Sequence, residues 1–379
     1  MTLNAFAAEK IKIVSSLPRT GSANGQTNSV VNGIKMALEE VKYSVEGFEL
    51  SYEDMDDASA ERGAWDPSLE AKNADKAIND PSVIAFIGPY NSGAAKISLP
   101  KLNKARLLQI TPGASWPGLT KPKTGEANEP QVYRPSGSIN FFRVIPADDI
   151  QGKVAARWSK ELGSTKVFIL NDRELYGKGI AGIYAKEAKL IGLSVLAEEG
   201  IDIKASNYKA LSTKIKQQNP DLVFYGGTTQ SNAGQLIKDL RASGFKGKFM
   251  VPDGCFEGAF LDAAGKDNLF ETYITFLGLP ASELQGEGKK FYENYKAKYN
   301  SEPEAYAVYG YEAAKVVIAA LKTAKSKDRE ALIQAVKTFK DFQGVVGTYS
   351  FDDNGDTSIT TLSGNTVENG AFKFLKILK

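Results

Sequence analysis

Short runs of β-branched and aromatic residues alternate with longer amphipathic segments along most of this 379-residue chain. Residues 11–16 are predicted to form a strand, and Val31, Ile34 and Leu38 then recur at the spacing of one buried helix face. The alternation continues with strands predicted near 48–54, 83–88 and 107–111 and helices near 69–78 and 94–104. Apolar strands separated by helices indicate a parallel sheet that is covered on both faces.

The alternation stops at residues 116–139, which contain four prolines and no periodic pattern. It resumes with a helix predicted at 149–162 and continues to a strand at 248–252, before a helical section, a hairpin near 345–351 and a last strand near 372–377. Because domains average about 150 residues, two such units predict an α/β fold with two doubly wound parallel-sheet lobes. A loop as long as 116–139 is usually functional or mobile, and whether it contacts a ligand stays open.

The chain contains no histidine and one cysteine, Cys255. The absence of histidine excludes histidine general bases, Ser-His-Asp and Cys-His nucleophilic arrangements, and every histidine-ligated metal site. A single cysteine cannot form an internal disulfide or a thiolate cluster. Enzymes without histidine exist, but most of the usual acid–base chemistry is missing here, and we expect no catalytic residue, no metal and no cofactor.

The 47 basic and 45 acidic side chains leave a net charge of +2, without a concentrated basic block. This balance argues against a nucleic-acid partner. No stretch reaches the roughly 18 apolar residues that a membrane span needs. Residues 5–7 (Ala-Phe-Ala) have the small-x-small form of a signal-peptidase site, although no charged or apolar region precedes them. One interpretation is an exported protein with most of its signal peptide absent from this sequence, and the other is an ordinary frayed terminus.

The loops after the predicted strands carry the residues with binding chemistry, because ligands bind at that edge of open α/β sheets. Two of these loops, 88–92 and 111–115, end in Ser92 and Ser115 at predicted helix starts. Free backbone N–H groups, the helix dipole and a hydroxyl form a site for an anion, although both serines could also be plain N-caps. Asp253 follows a strand of the second unit and could face that site, or it could simply form a turn. Opposed charges of this kind would suit a ligand such as an amino acid.

A glycine-rich segment offers an enzymatic alternative. Residues 177–182 read Gly-Lys-Gly-Ile-Ala-Gly and match the G-x-G-x-x-G pattern of dinucleotide sites, with Glu198 further on. In such sites the glycines follow a strand directly, whereas here six residues separate Leu170 from Gly177, and the next helix is predicted only from residue 179. A nucleotide-dependent enzyme that uses Gly177–Gly182 stays as the alternative hypothesis.

Taken in chain order, the strand-end segments resemble the type I periplasmic binding proteins, specifically the branched-chain amino-acid receptors of ABC transporters. The matching segments lie within about 11–378 and are Thr20–Gly25, Tyr52–Asp54, Val83–Pro89, Leu108–Ser115, Tyr176–Gly179, Asp221–Gly227 and Tyr349–Asp356. The resemblance implies two lobes joined by three crossover segments near 142–146, 273–279 and 348–351. The first lobe would comprise 9–143 with 278–347, and the second 144–277 with 348–379.

The resemblance also implies a role for individual residues. The ligand α-carboxylate is expected to contact, in the first lobe, Ser92, Gly113, Ala114 and Ser115. The ligand ammonium is expected at Asp253, where the family more often has Glu. Aromatic positions around the cleft correspond to Tyr176 and Tyr306.

Two departures from the family pattern concern the same cleft. Asn24 stands at a loop position that often carries an aromatic residue, and Thr228-Thr229 replace a tyrosine expected after a Gly-Gly pair. We therefore expect Asn24, Thr228 and Thr229 to line a cleft that is more polar than a leucine site.

These observations predict a non-enzymatic solute-binding protein that closes by hinge motion on an amino acid or a related small zwitterion. We expect it to lie in the periplasm or at the cell surface, as a monomer whose partners are that small ligand and an ABC transporter permease. A receptor-like sensor domain without a transporter would share the fold and stays open. The identity of the ligand and the presence of a lipid anchor stay open as well.

Overall fold

The computed structural model describes residues 8–379, so the motif at residues 5–7 lies outside the described residues. The strands are β1 (Glu9–Leu17), β2 (Ser44–Val45), β3 (Phe48–Asp56), β4 (Ala58–Ser59), β5 (Ala64–Trp65), β6 (Val83–Ile87), β7 (Leu108–Thr111), β8 (Phe141–Arg143), β9 (Lys166–Asn171), β10 (Ser194–Gly200), β11 (Leu222–Gly226), β12 (Lys248–Val251), β13 (Thr272–Phe276), β14 (Phe342–Gly344), β15 (Gly347–Tyr349), β16 (Leu362–Glu368) and β17 (Ala371–Leu378). The α-helices are α1 (Asn24–Glu40), α2 (Pro67–Asn79), α3 (Ser92–Lys104), α4 (Asp148–Glu161), α5 (Leu175–Leu190), α6 (Lys209–Gln218), α7 (Ala233–Ala242), α8 (Gly258–Ala264), α9 (Glu287–Tyr299), α10 (Ala307–Ala324) and α11 (Arg329–Lys337). Within residues 8–379, none of these helices combines the length and apolar character needed to cross a membrane.

Two separate sheets confirm the predicted α/β fold. The first has the order β2-β3-β1-β6-β7-β8 and is parallel from β3 to β8. The second has the order β10-β9-β11-β12-β13-β16-β17 and is parallel from β10 to β13. Below, the first lobe is the part of the chain around the first sheet, and the second lobe is the part around the second sheet.

The central strands are apolar throughout because helices cover both faces of each sheet. Every residue of β6 and of β11 is buried. Helix α2 begins in the way its sequence indicates, since the Asp66 carboxylate accepts hydrogen bonds from the backbone N–H groups of Ser68 and Leu69, and Pro67 opens the helix.

Helix α10 packs closely on α1, which places it in the first lobe. A Cβ atom at Gly33 would lie 2.2 Å from the carbonyl oxygen of Ala307, and one at Gly310 would lie 2.2 Å from that of Val30. Only glycine permits this approach of two helix backbones. The residue just before α10, Tyr306, is therefore presented from the first lobe.

Helix α5 and strand β16 are among the elements that differ from the sequence-based expectation. Helix α5 begins at Leu175 rather than at residue 179, so Gly177 and Gly179 lie inside a helix. There they allow close packing, since a Cβ at Gly177 would meet the carbonyl oxygen of Gly226 and one at Gly179 would meet the ring of Trp116. Strand β16 was not predicted, because its sequence, Leu-Ser-Gly-Asn-Thr-Val-Glu, has little strand propensity. Its antiparallel pairing with β13 and β17 decides its conformation.

The long segment 116–139 is ordered around one carboxylate. Glu129 is 5% exposed and accepts hydrogen bonds from the Trp116 indole N–H (3.0 Å), the backbone N–H of Glu126 (2.7 Å) and the Tyr133 hydroxyl (2.5 Å). The segment contains only two short turns of 3₁₀-helix, which agrees with the absence of periodicity in its sequence.

A buried ion pair joins β8 to the C-terminal part of the chain. The Arg143 side chain is fully buried, and its Nε donates to Asp356 Oδ1 at 2.8 Å. Its Nη1 donates to the carbonyl oxygens of Ala114 (3.1 Å) and Trp116 (3.0 Å). A tight turn presents Asp356, because Asp352 Oδ1 accepts a hydrogen bond from its backbone N–H at 2.9 Å. One guanidinium therefore connects the end of β8, the loop after β7 and the turn after β15.

Replacing Asp356 by alanine tests this connection, because it leaves the Arg143 guanidinium buried without a counter-charge. Removing one partner of a buried pair costs about 3–5 kcal/mol, so the free energy of unfolding of Asp356→Ala should fall by about that amount in urea denaturation. The matched control is Asp353→Ala in the same turn, where the side chain is exposed, and its change should stay within about 0.5 kcal/mol. Equal losses in the two variants would contradict the assignment.

Candidate ligand-binding site

A small cavity lies between the two lobes at the carboxyl ends of their strands. It contains about 260 Å³ of atom-free space. Its lining residues are Tyr90, Asn91, Ser92, Gly113, Tyr176, Thr228, Asp253, Gly254 and Tyr306. Both lobes contribute, so a ligand held there would contact both at once.

The first lobe presents hydrogen-bond donors to this cavity. Ser92 is the first residue of α3 and is 2% exposed, and its Oγ accepts a hydrogen bond from the backbone N–H of Trp116 at 3.1 Å. The hydroxyl hydrogen of Ser92 stays available as a donor. The first backbone hydrogen bond of α3 runs from Ala95 N–H to the Asn91 carbonyl, so the amides of residues 92–94 have no partner within the helix. A helix N-terminus with a free hydroxyl favours an anionic group.

The amides of Gly113 and Ala114 are already engaged, contrary to the expectation that they face a ligand carboxylate. Both donate to Thr111 Oγ1, at 3.2 Å and 2.8 Å, and that hydroxyl donates in turn to the Pro89 carbonyl. Thr111 at the end of β7 thus folds the loop back on itself. Gly113 lines the cavity, whereas Ala114 is fully buried and does not.

The second lobe presents a carboxylate. Asp253 follows β12 and is 2% exposed. Its Oδ1 accepts a hydrogen bond from the Tyr176 hydroxyl at 2.7 Å, and its Oδ2 accepts one from the Tyr306 hydroxyl. Burial raises the pKa of Asp253, and the two tyrosine hydrogen bonds oppose that shift. Each carboxylate oxygen keeps a second lone pair, so the group can still accept from a ligand cation.

A second buried carboxyl lies near the same end of the cleft. Asp148, in the first turn of α4, is fully buried, and neither of its carboxylate oxygens has a hydrogen-bond partner among the described residues. Burial raises the pKa of Asp148, and the nearby charge of Asp253 raises it further. A cation bound beside Asp253 would favour the charged form of both groups.

Tyrosine rings from the first lobe form one wall of the cavity. The rings of Tyr90 and Tyr306 meet edge to face, with 5.1 Å between their centroids. The backbone N–H of Tyr306 donates to Gln26 Oε1 at 2.9 Å, and Gln26 Nε2 donates to the carbonyl of Phe256 at 3.2 Å. Because Phe256 follows β12, this chain of hydrogen bonds crosses from one lobe to the other.

A larger outer cavity continues from the inner one. It contains about 650 Å³ of atom-free space and shares Asn91, Ser92, Tyr176 and Thr228 with the inner cavity. At its rim, Arg62 Nη2 of the first lobe lies 3.7 Å from Glu174 Oε1 of the second. The two cavities together form one interlobe cleft.

The structure brings together six of the ten residues predicted for the site. Those that line the inner cavity are Ser92, Gly113, Tyr176, Thr228, Asp253 and Tyr306. Four line neither cavity: Asn24, Ala114, Ser115 and Thr229. Asn24 is turned away because its Nδ2 donates to the Arg19 carbonyl and its Oδ1 accepts from Asn28. Thr229 Oγ1 lies 3.5 Å from the carbonyl of Gly254, behind the cavity wall.

Sequence reasoning missed several lining residues. Tyr90 and Asn91 directly precede Ser92 in the same loop, so the position of that loop could have indicated them. Trp65 and Gln230 line the outer cavity but stand in segments without a motif. The long segment 116–139 lines neither cavity.

Comparison with known proteins identifies relatives over nearly the whole chain. Residues 10–370 match a family model described as periplasmic binding protein. A Leu/Ile/Val-binding protein homolog from Brucella abortus is 28% identical over 346 residues, which cover 90% of this chain and 86% of that protein. A leucine-, isoleucine-, valine-, threonine- and alanine-binding protein from Pseudomonas aeruginosa is 26% identical over 358 residues, covering 93% and 88%.

Solved structures give the same result. A leucine-binding protein from Thermotoga maritima superposes with a TM-score of 0.85 at 25% identity, covering 97% of this chain and 98% of that one. A branched-chain amino-acid transporter substrate-binding protein from Streptococcus pneumoniae, in complex with isoleucine, gives a TM-score of 0.82 at 25% identity, covering 97% and 99%.

The carboxyl of Glu257, in the loop after Asp253, makes stability depend on pH. It is 2% exposed, and burial raises its pKa from 4.5 to about 8. The folded protein therefore keeps this proton at pH values where the unfolded chain has released it. The contribution of the protonated Glu257 carboxyl to the free energy of unfolding is fully present below about pH 4.5 and is lost as the pH rises to about 8. Urea denaturation at pH 5 and pH 8 should show a smaller loss of unfolding free energy for Glu257→Gln than for the wild type.

Glu198→Gln, which changes an exposed side chain on β10, is the matched control and should keep the wild-type pH dependence. If Glu257→Gln also retained the wild-type dependence, the raised pKa of Glu257 would be refuted.

Proposed function

The chain belongs to the periplasmic binding protein family, of the branched-chain amino-acid type, and on that basis we propose that it is the solute-binding protein of an ABC transporter. In this proposal, an amino acid or a related small zwitterion is the ligand and binds in the interlobe cleft. The family consists of non-enzymatic binding proteins located outside the cytoplasm. The glycine run that suggested a nucleotide-dependent enzyme lies inside α5 and serves helix packing.

One observation carries this proposal: a buried carboxylate faces the free N-terminus of a helix across a small cavity. Asp253 supplies the negative side, and Ser92 with the first amides of α3 supplies the donor side. The ammonium of an α-amino acid would pair with Asp253, and its carboxylate would accept from the Ser92 hydroxyl. In an enclosed, low-dielectric cleft both interactions are stronger than in water. The relatives named for leucine, isoleucine and valine binding support this class of ligand.

Closure by hinge motion is part of the proposal. We propose that the lobes comprise 9–143 with 278–347 and 144–277 with 348–379, joined by crossovers near 142–146, 273–279 and 348–351. The Tyr306–Asp253 hydrogen bond and the Arg62–Glu174 ion pair both cross the cleft. A ligand that contacts both lobes binds the closed form more tightly, and this difference in affinity supplies the energy of closure.

The remaining parts of the proposal concern partners and location. The closed form would dock on the transporter permease as a monomer, in the periplasm or at the cell surface. A sensor without a transporter uses the same fold, and the neighbouring genes separate the two, since permease and ATPase genes beside this one indicate transport.

The proposed pair between Asp253 and the ligand ammonium gives a direct test of the ligand-binding site. Asp253→Ala leaves the ligand ammonium unpaired in a buried site, which costs about 2–5 kcal/mol. In calorimetric titration, the amino acid that binds the wild type most tightly should therefore bind Asp253→Ala well over tenfold more weakly. In solution scattering the same ligand should reduce the radius of gyration of the wild type, and at the same concentration should do so far less in the variant.

The matched control is Asp262→Ala, on an exposed position of α8, which should bind and close like the wild type. Unchanged affinity in Asp253→Ala would remove Asp253 from the site, and identical scattering of the wild type with and without ligand would refute the hinge.

A further inference from the structure

The outer cavity is the space that the side chain of a bound amino acid must enter. The two charged groups of the ligand would occupy the inner cavity at Ser92 and Asp253, and that space continues past Asn91, Tyr176 and Thr228 into the outer cavity. The chemistry of the outer cavity therefore decides which side chain is accepted. This step rests on the proposed function.

Two carboxamide side chains in the outer cavity lack partners. The Oδ1 atom of Asn91 and the Oε1 atom of Gln230 are buried and accept no hydrogen bond from any described residue. More than nine in ten buried polar groups in native proteins have such a partner. Two unsatisfied carboxamides in the same cavity, one from each lobe, therefore indicate a group that comes from outside the chain.

The position of Asn91 strengthens this interpretation. Asn91 is the N-cap residue of α3, where an asparagine side chain ordinarily accepts a hydrogen bond from the second or third helical amide. Here the side chain makes no such cap and instead lines the cavity. Gln230 lies in the short turn Thr229–Ser231 after β11, and its carboxamide likewise makes no hydrogen bond to the rest of that turn.

Four charged side chains line the outer cavity, and two of them form an ion pair. Arg62 and Glu174 are that pair at the rim, and Arg62 Nε also donates to the Trp65 carbonyl at 2.9 Å. Asp172 accepts a hydrogen bond from the backbone N–H of Glu174 at 2.9 Å, and burial raises the pKa of Asp172 to about 7. The Lys204 side chain is exposed to solvent. Asp172 and Lys204 have no ion-pair partner among the described residues.

We propose that the outer cavity binds a neutral polar ligand side chain that carries both a hydrogen-bond donor and an acceptor, with a carboxamide as the best match. The two unpaired atoms are acceptors, so the ligand group must donate, and an acceptor in the same group would also suit the NH₂ groups of the two side chains. A carboxylate only accepts, an ammonium only donates, and a branched aliphatic side chain does neither. The ligand class is therefore the polar amino acids of glutamine and asparagine type, rather than the branched aliphatic ones.

Calorimetric titration of the full-length protein with glutamine, asparagine, glutamate, lysine and leucine tests the proposal. Glutamine or asparagine should bind tightest, at least about tenfold more tightly than leucine, since an apolar side chain leaves both carboxamides unpaired. Gln230→Met keeps the length of the side chain and removes its carboxamide. This variant should bind the preferred amide ligand about tenfold more weakly and leucine no more weakly than the wild type does.

The matched control is Gln217→Met, on an exposed position of α6, which should preserve every affinity. Leucine as the tightest ligand of the wild type would overturn the inference and leave the proposed function standing. The inference would also be overturned if Gln230→Met weakened glutamine and leucine equally, because that pattern reflects a general change in shape. If none of the five amino acids bound, the inference would be overturned, and the proposed function would fail only if the other free amino acids and related small zwitterions did not bind either.

Discussion

The buried pair between Arg143 and Asp356 holds together the parts of the chain on which the cleft depends. Arg143 ends β8, the last strand of the first sheet, and its guanidinium also binds the carbonyl oxygens of Ala114 and Trp116. Those two residues flank Ser115 in the loop that borders the cavity. The indole of Trp116 packs over Gly179 of the second lobe. A fully buried guanidinium needs all of its hydrogen-bond acceptors in place, so this single side chain fixes the loop, the end of the strand and the turn relative to one another.

The cleft that results has opposite chemistry on its two sides. Donors lie on the first lobe, where α3 begins at Ser92, and an acceptor lies on the second lobe at Asp253. The tyrosines at 176 and 306 hold the carboxylate from both lobes without neutralising it, because a phenol hydroxyl donates a hydrogen bond but carries no charge. The carboxyl of Asp148 is buried on the same side, and burial raises its pKa. The cleft therefore offers a partner to each of the two charges of the proposed zwitterionic ligand.

The sequence predicted the two-sheet architecture well, because hydrophobic periodicity records burial and the central strands are buried on both faces. Ser92 and Asp253 could also be predicted, since both follow buried strands and parallel strands bring their carboxyl ends to one edge. The orientation of side chains could not. Asn24 is turned away by its hydrogen bond to the Arg19 carbonyl, and Thr111 captures the amides of Gly113 and Ala114. Such local competition among hydrogen bonds has no periodic signature. Strand β16 was missed for a related reason, because its neighbours in the sheet rather than its own residues determine its conformation.

The inner cavity is proposed to require both charges of an α-amino acid. Native mass spectrometry tests this requirement most directly, with the protein incubated in an equimolar mixture of free amino acids, their decarboxylated amines and their deaminated acids. The protein should retain one or a few intact amino acids and no amine or acid. Retention of a deaminated acid or a decarboxylated amine as strongly as its parent amino acid would contradict the claim, because either analogue lacks one of the two charges that Asp253 and the start of α3 are proposed to bind.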